Sequence, residues 1–395
     1  MDKHRTFKIT GLLTTIAPII VLFIFGFFLT SCSNEFDSSY SIYFSWDMAL
    51  SQEGFLYLQD DVLHFYDFIS GRRTVLCNKP NCLHQPFSSI TNPDPECNAV
   101  SPNGDMIVGF GMHNAYVYTF ISSSINETTI YRQKPNGDGR EFLTSFDWDL
   151  DLANNIIFKD NKAYFIGVTY ILDEKGAGSS NNQISIVLSV DLINGGVNQL
   201  TEPKQDNISS MVSLEMIDDK LYYYYVYYDE GMDFLADNVS EQISMYINTI
   251  LYEVDIATAT EKQLLNVTED VNDIHIGLNN KAFIFFNKKI SQVYSVDRKD
   301  STKAPLIEGE NIDFARYLND YIVYSQGEDY SVLYFYDLPT GKIKKVNRPV
   351  GETVPTYIYD NWIFYGATLE DGTHARVFMP IEDYLDGNTD YITIN

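Results

Sequence analysis

Three cysteines and one histidine fall within one short segment of the 395-residue chain. Cys77, Cys82, His84 and Cys97 follow the spacing C-x4-C-x-H-x12-C. Three thiolates and an imidazole make a common closed tetrahedral shell for zinc, and four protein ligands leave no open position for a substrate. The segment is rich in Pro and Asn, which suits a loop wrapped around an ion. The expectation is one structural zinc on Cys77, Cys82, His84 and Cys97. A second state stays open, in which two of the thiols join as a disulfide and the third remains free. An odd number disfavours complete pairing, whereas export from the cytoplasm favours oxidised thiols.

No other constellation is as specific. The chain has no G-x-S-x-G elbow, no H-E-x-x-H, no P-loop and no G-x-G-x-x-G after a strand. Asp and Glu number 54 against 27 Lys and Arg, a net charge of -27. A surface that negative repels phosphate backbones and anionic lipid, so nucleic acid is excluded as a partner. With so many carboxylates a chance pair is certain, and composition says nothing for or against glycosidase chemistry, which needs only two placed acids. The acidic stretch Asp229, Glu230, Asp233, Asp237, Glu241 lacks the order of a calcium loop and reads as solvated. Asp191, Asp255, Asp297 and Asp337 recur at equivalent places and read as turn caps. Tyr222–Tyr228 reads as buried packing rather than a sugar platform.

The elements that must carry these residues repeat along the chain. A unit consists of a short apolar strand, an Asn/Asp turn, a strand dense in Tyr, Phe and Ile, a variable loop, a third strand ending in Asp, a Gly-type turn and a fourth strand. Lys162–Gly167, Lys220–Tyr224, Lys281–Phe286, Asp320–Tyr324 and Asn361–Tyr365 open second strands. Gly54–Leu58 is a weaker copy, as is Asp105–Gly109, which pairs with Thr129–Arg132. The first turns read as Asn103-Gly104, Asp160-Asn161, Asp218-Asp219, Asn279-Asn280, Asn319-Asp320 and Asp360-Asn361, residues that tolerate the positive φ of tight hairpins. Seven units of four strands predict an all-β, seven-bladed propeller of antiparallel blades over residues 40–395, because stacking blades radially buries both faces of each small sheet. Ser41–Phe44 is expected to supply the first strand of blade one or to help close the ring. Three long second-to-third loops, His113–Thr128, Thr169–Gln183 and Met232–Asn248, would thicken one face of blades two to four. That face would also carry the Cys/His loop and bind the partner.

The N-terminus reads as an address. Lys3, Arg5 and Lys8 precede an uncharged run from Ile9 to Asn34 with an apolar core, Ile16–Leu29, the pattern of an export signal. The run ends Leu29-Thr30-Ser31-Cys32, which resembles a bacterial lipobox. That implies residues 1–31 as a signal peptide, lipid on Cys32, residues 32–39 as a tether, and a folded part at the outer face of the cell membrane. Two acyl chains suffice for stable anchoring. An uncleaved membrane-spanning helix is the other reading of the run.

The lipobox, the Tyr-rich repeat and the segment Cys77-Asn78-Lys79-Pro80-Asn81-Cys82-Leu83-His84 together resemble the seven-bladed propeller lipoproteins of Firmicutes, described as DUF5050-like or TolB-like, over most of residues 40–395. The resemblance implies an extracytoplasmic binding or scaffolding role toward a protein or glycan and supplies no catalytic residues. The alternative is a propeller-fold carbohydrate-active enzyme, a glycoside hydrolase or lyase.

Overall fold

In the computed structural model, the residues described are 41–43, 48–124, 126–151, 154–171, 183–205, 209–228, 247–266, 273–309, 311–327 and 330–394. They belong to one compact unit, Ser41–Asn395. Residues 1–40, with the expected signal, Cys32 and tether, lie outside them, as do 172–182 and 229–246. No described helix is long and apolar enough to cross a membrane.

Seven antiparallel sheets follow one another, each built from a contiguous stretch of chain. Six have four strands in sequence order, and the third has two more. Positive φ at Asp160, Asp218, Asn319 and Asp360 makes the first-to-second turns, as their side chains allow. The third-to-fourth turns are closed by the repeated Asp. Asp191 Oδ1 accepts from the N–H of Ile193 and Asn194, Asp255 Oδ1 from Ala257 and Thr258, and Asp297 and Asp337 behave alike. Leu221–Tyr225 is fully buried, and Tyr223 stacks on Tyr252 at 5.3 Å, so this aromatic run is packing.

Side chains meshing between neighbouring blades form the core. Phe120, Phe146, Phe158 and Phe165 fill the space between blades two and three. The ring closes without a shared strand. Blade one (48–75) meets blade seven (357–394) through Phe55, Tyr57 and Tyr66 against Phe364 and Phe378, with Phe68 stacked on Trp362 at 5.0 Å. The Arg73 guanidinium donates across this seam to the carbonyl of Thr393.

The expectations for blades two to four are corrected. In blade two, Met106–His113 is the first strand and Tyr116–Ser124 the second, and the turn between them is Asn114-Ala115. Asn103-Gly104 belongs to a short 3-10 turn ahead of the blade. Residues His113–Thr128 are therefore mostly strand, not a long loop. Asn-Gly is the stronger turn signal, but Gly109 is needed inside the strand, where an added Cβ would lie 2.6 Å from Ile156. In blades three and four the paired strands run on to Tyr170↔Gln183 and Tyr228↔Ile247, which confines their insertions to 171–182 and 229–246.

Ser41–Tyr43 belongs neither to blade one, whose first strand is Met48–Leu50, nor to the blade one–seven seam. It pairs antiparallel with Ile156–Lys159, the innermost strand of blade three. The inner edge of that strand offers backbone N–H and C=O groups that need partners.

Candidate metal centre

The fourth strand of blade one, Arg72–Val75, delivers Leu76 and Cys77 directly. Leu76 N–H donates to the Leu63 carbonyl at 3.0 Å, and Cys77 is buried. A tight turn follows, with Cys82 N–H reaching Lys79 O at 3.3 Å and positive φ at Asn81 and His84. The loop returns to blade one, where Val100 bridges Val62 and Leu63 N–H donates to Ala99 O at 2.8 Å. That return sets Cys97 opposite the Cys77–His84 turn. The ligand atoms of Cys77, Cys82, His84 and Cys97 all lie within 4.8 Å of one another, with Cys97 Sγ 3.5 Å from His84 Nδ1. No disulfide joins the three thiols. All four expected ligands meet at one point, in an arrangement compatible with one metal ion.

Burial raises the Cys77 thiol, but the N–H groups of Lys79 and Asn98, with Cys82 and Cys97, outweigh it and hold it below its ordinary value. Burial first, then the neighbouring thiols, push Cys97 up to about 12. A dication reverses that preference, because coordinated thiols lose their protons.

The surrounding groups come from blade two. Gln133 Nε2 donates to Leu76 O at 3.0 Å, and Asn98 Nδ2 to Gly137 O at 2.8 Å. Arg140 Nη1 reaches the carbonyls of Cys97 and Val100 at 3.3 and 2.5 Å. Its guanidinium lies over Tyr131 and in the field of Cys97 and Cys77. Three thiolates around a dication would carry one net negative charge, which the nearby Arg140 guanidinium would balance. Gly137 has φ +79, and a Cβ there would sit 2.3 Å from Cys77 N, so only glycine admits this approach.

The contact of the Gly137 turn with the cysteines was not legible in the sequence. Alternation of strand direction places fourth-to-first connections and third-to-fourth turns on opposite faces. Blade twist swings outer strands across the seam, and the two meet at the perimeter. Three other histidines have ordinary partners. His64 stacks on Tyr57 and bonds Val62 O, His113 Nε2 donates to Asp160 O at 2.5 Å, and His374 meets Thr368. Burial pushes the Glu215 carboxyl up to about 8 and that of Glu352 up to about 7, and raises Asp105 as well. Glu215 faces Tyr224 and Tyr317, Glu352 faces Tyr365 and Tyr384, and they share none of these neighbours.

No family model matches the chain, and no curated protein does. Among solved structures it is similar to puromycin hydrolase (TM-score 0.52, 10% identity, 88% of this chain and 52% of that one). It is also similar to prolyl endopeptidase (TM-score 0.53, 10% identity, 90% and 50%). Oligogalacturonate lyase in complex with manganese aligns at TM-score 0.46 and 12% identity over 87% and 90%. The chain spans about half the length of the two hydrolytic enzymes. At these identities the likeness to them is one of fold, a seven-bladed propeller.

Proposed function

We propose that the protein is a lipid-anchored, extracytoplasmic propeller that binds or scaffolds a protein or glycan without catalysing a reaction, and that one structural zinc staples its blade one–two seam. The observation that carries this reading is the centre itself. Four protein side chains whose ligand atoms lie within 4.8 Å of one another are the number a closed tetrahedral shell takes, and groups of blade two pack against them. Such a set has no vacant position for substrate or activated water, and its work is to hold the long loop 76–105 on the ring. The lipid anchor rests on the lipobox-like Leu29-Thr30-Ser31-Cys32, and the binding role on the resemblance to propeller lipoproteins.

Two experiments test the reading. Mass spectrometry of the membrane-extracted protein should find a chain beginning at a diacylglyceryl Cys32, and Cys32→Ala should release it. Glycan arrays and cross-linking from intact cells should return a bound ligand with no product. Release of reducing or unsaturated sugar would replace this reading with the carbohydrate-active enzyme.

A further inference from the structure

Strand Ser41–Tyr43 runs along the innermost strand of blade three in the register Ser41↔Phe158, Ile42↔Ile157, Tyr43↔Ile156. It also lies against the first strands of blades one and two, at the axis of the ring. Its direction is informative. Ile156–Lys159 runs toward the turn Asp160-Asn161, and an antiparallel partner places Ser41 at that turn end and Tyr43 at the opposite end. The chain then turns back, since Met48 pairs with Tyr57 at the far end of blade one and Leu50 with Phe55 near its first turn. The first-to-second turns of neighbouring blades share this side. Asn114 Nδ2 donates to Asp160 O at 2.7 Å, and Lys159 Nζ to Asp218 O at 2.7 Å. The chain therefore joins the propeller on the side of the short Asn/Asp turns. The insertions 171–182 and 229–246 leave from the opposite side.

We propose that the turn side faces the lipid bilayer and the loop side faces away from it. This rests on the lipid-anchor reading. Eight residues separate Cys32 from Ser41, and the nine steps between them reach at most about 30 Å fully extended. To bring the loop side to the membrane, the tether must run outward past a four-stranded blade, about 15 Å deep, and then along strands about 20 Å high. That path exceeds its reach, and strand 41–43, on the first strands of blades one to three, occupies part of the way back through the axis. The exposed turn residues Asp160, Asp218, Asp219, Asp320 and Asp360 repel anionic headgroups. The tether rather than adsorption sets the distance, and partners approach the loop side.

The test uses the full lipidated chain in vesicles of phosphatidylethanolamine and phosphatidylglycerol that carry an acceptor dye on the headgroup. A donor is clicked onto an azide-bearing residue at Asp320, on the turn side, or at Ile290, on the loop side and 60% exposed. Energy transfer from position 320 should be at least twofold stronger than from 290, at low and high salt alike. Lengthening the tether by twelve Gly/Ser residues should narrow the difference. Equal or reversed transfer from vesicle-bound protein overturns the orientation while the anchor reading survives. Mass spectrometry showing no lipid on Cys32, with no transfer from either position, overturns both. Cys32→Ala, unbound and silent at both positions, sets the baseline.

Discussion

Two seams of the ring are built alike and finished differently. Between blades one and two, the connection 76–105 docks on the third-to-fourth turn of blade two. Between blades six and seven, the connection 348–356 docks near the helix Ile381–Leu385, which fills the same place in blade seven. The first seam gathers Cys77, Cys82, His84 and Cys97 at one point and surrounds them with N–H donors and the Arg140 charge. The second gathers Glu352, Arg348, Tyr365 and Tyr384. There Arg348 Nη1 donates to the Glu352 carbonyl at 2.6 Å, while Glu352 Oε2, Arg348 Nε and Tyr384 Oη are buried without hydrogen-bond partners. One topology thus accepts two solutions, a ligand set compatible with one ion and a polar cluster whose carboxyl gives up its proton only near neutrality.

The comparison breaks first at Gly137. An alanine there must adopt positive φ and enter the space of Cys77 N. Gly137→Ala should cost about 3 kcal/mol of stability in urea unfolding and weaken metal retention. An equivalent change at Gly372, where nothing lies within 4 Å of an added Cβ, should cost only its backbone strain, about 1 kcal/mol.

Arg140 comes next. Arg140→Met keeps the stacking volume and removes the charge and its bonds to the Cys97 and Val100 carbonyls. Metal affinity, read by chelator competition, should fall about 10- to 100-fold, as for other groups that orient and neutralise a ligand shell. Arg140→Lys should not restore it, since a point ammonium cannot reproduce the guanidinium fork.

The other seam should show the smallest effect, and it should be one of pH. The folded state holds the Glu352 proton up to about 7, mainly through burial and against the pull of Arg348. The unfolded carboxyl titrates near 4.3. The folded chain therefore binds the extra proton between these values. The stability tied to it is fully present below about 4.3 and is lost as pH rises toward 7. Glu352→Gln should flatten this slope by about 1–2 kcal/mol between pH 5 and 8. The metal-filled seam should show the opposite slope, stability rising with pH, because its thiols and imidazole give up protons on binding the ion, and chelation should open it.

Much of this was legible in the sequence, for physical reasons. Asn/Asp turns, apolar second strands and Asp-ended third strands are local signals, and they marked the blades wherever turn chemistry and strand density agreed. Blade two was misread because Asn103-Gly104 outweighs Asn114-Ala115 as a turn signal, although Ala115 takes φ +61 under the demand of the blade. The ligand set was legible because four ligand side chains lie within one loop. Arg140, Gln133 and Gly137 were not, because their contact with that loop depends on twist across a seam. Strand Ser41–Tyr43 was placed on the wrong blade because its partner edge is defined only once the ring has closed.

The most direct measurement is metal analysis of the lipidated protein paired with thiol counting, before and after denaturation in chelator. The expected result is one zinc per chain, no thiol reactive in the native state, and three reactive thiols once the metal is stripped. A metal-free chain with two of these sulfurs oxidised to a disulfide and one free thiol would contradict the stapled seam.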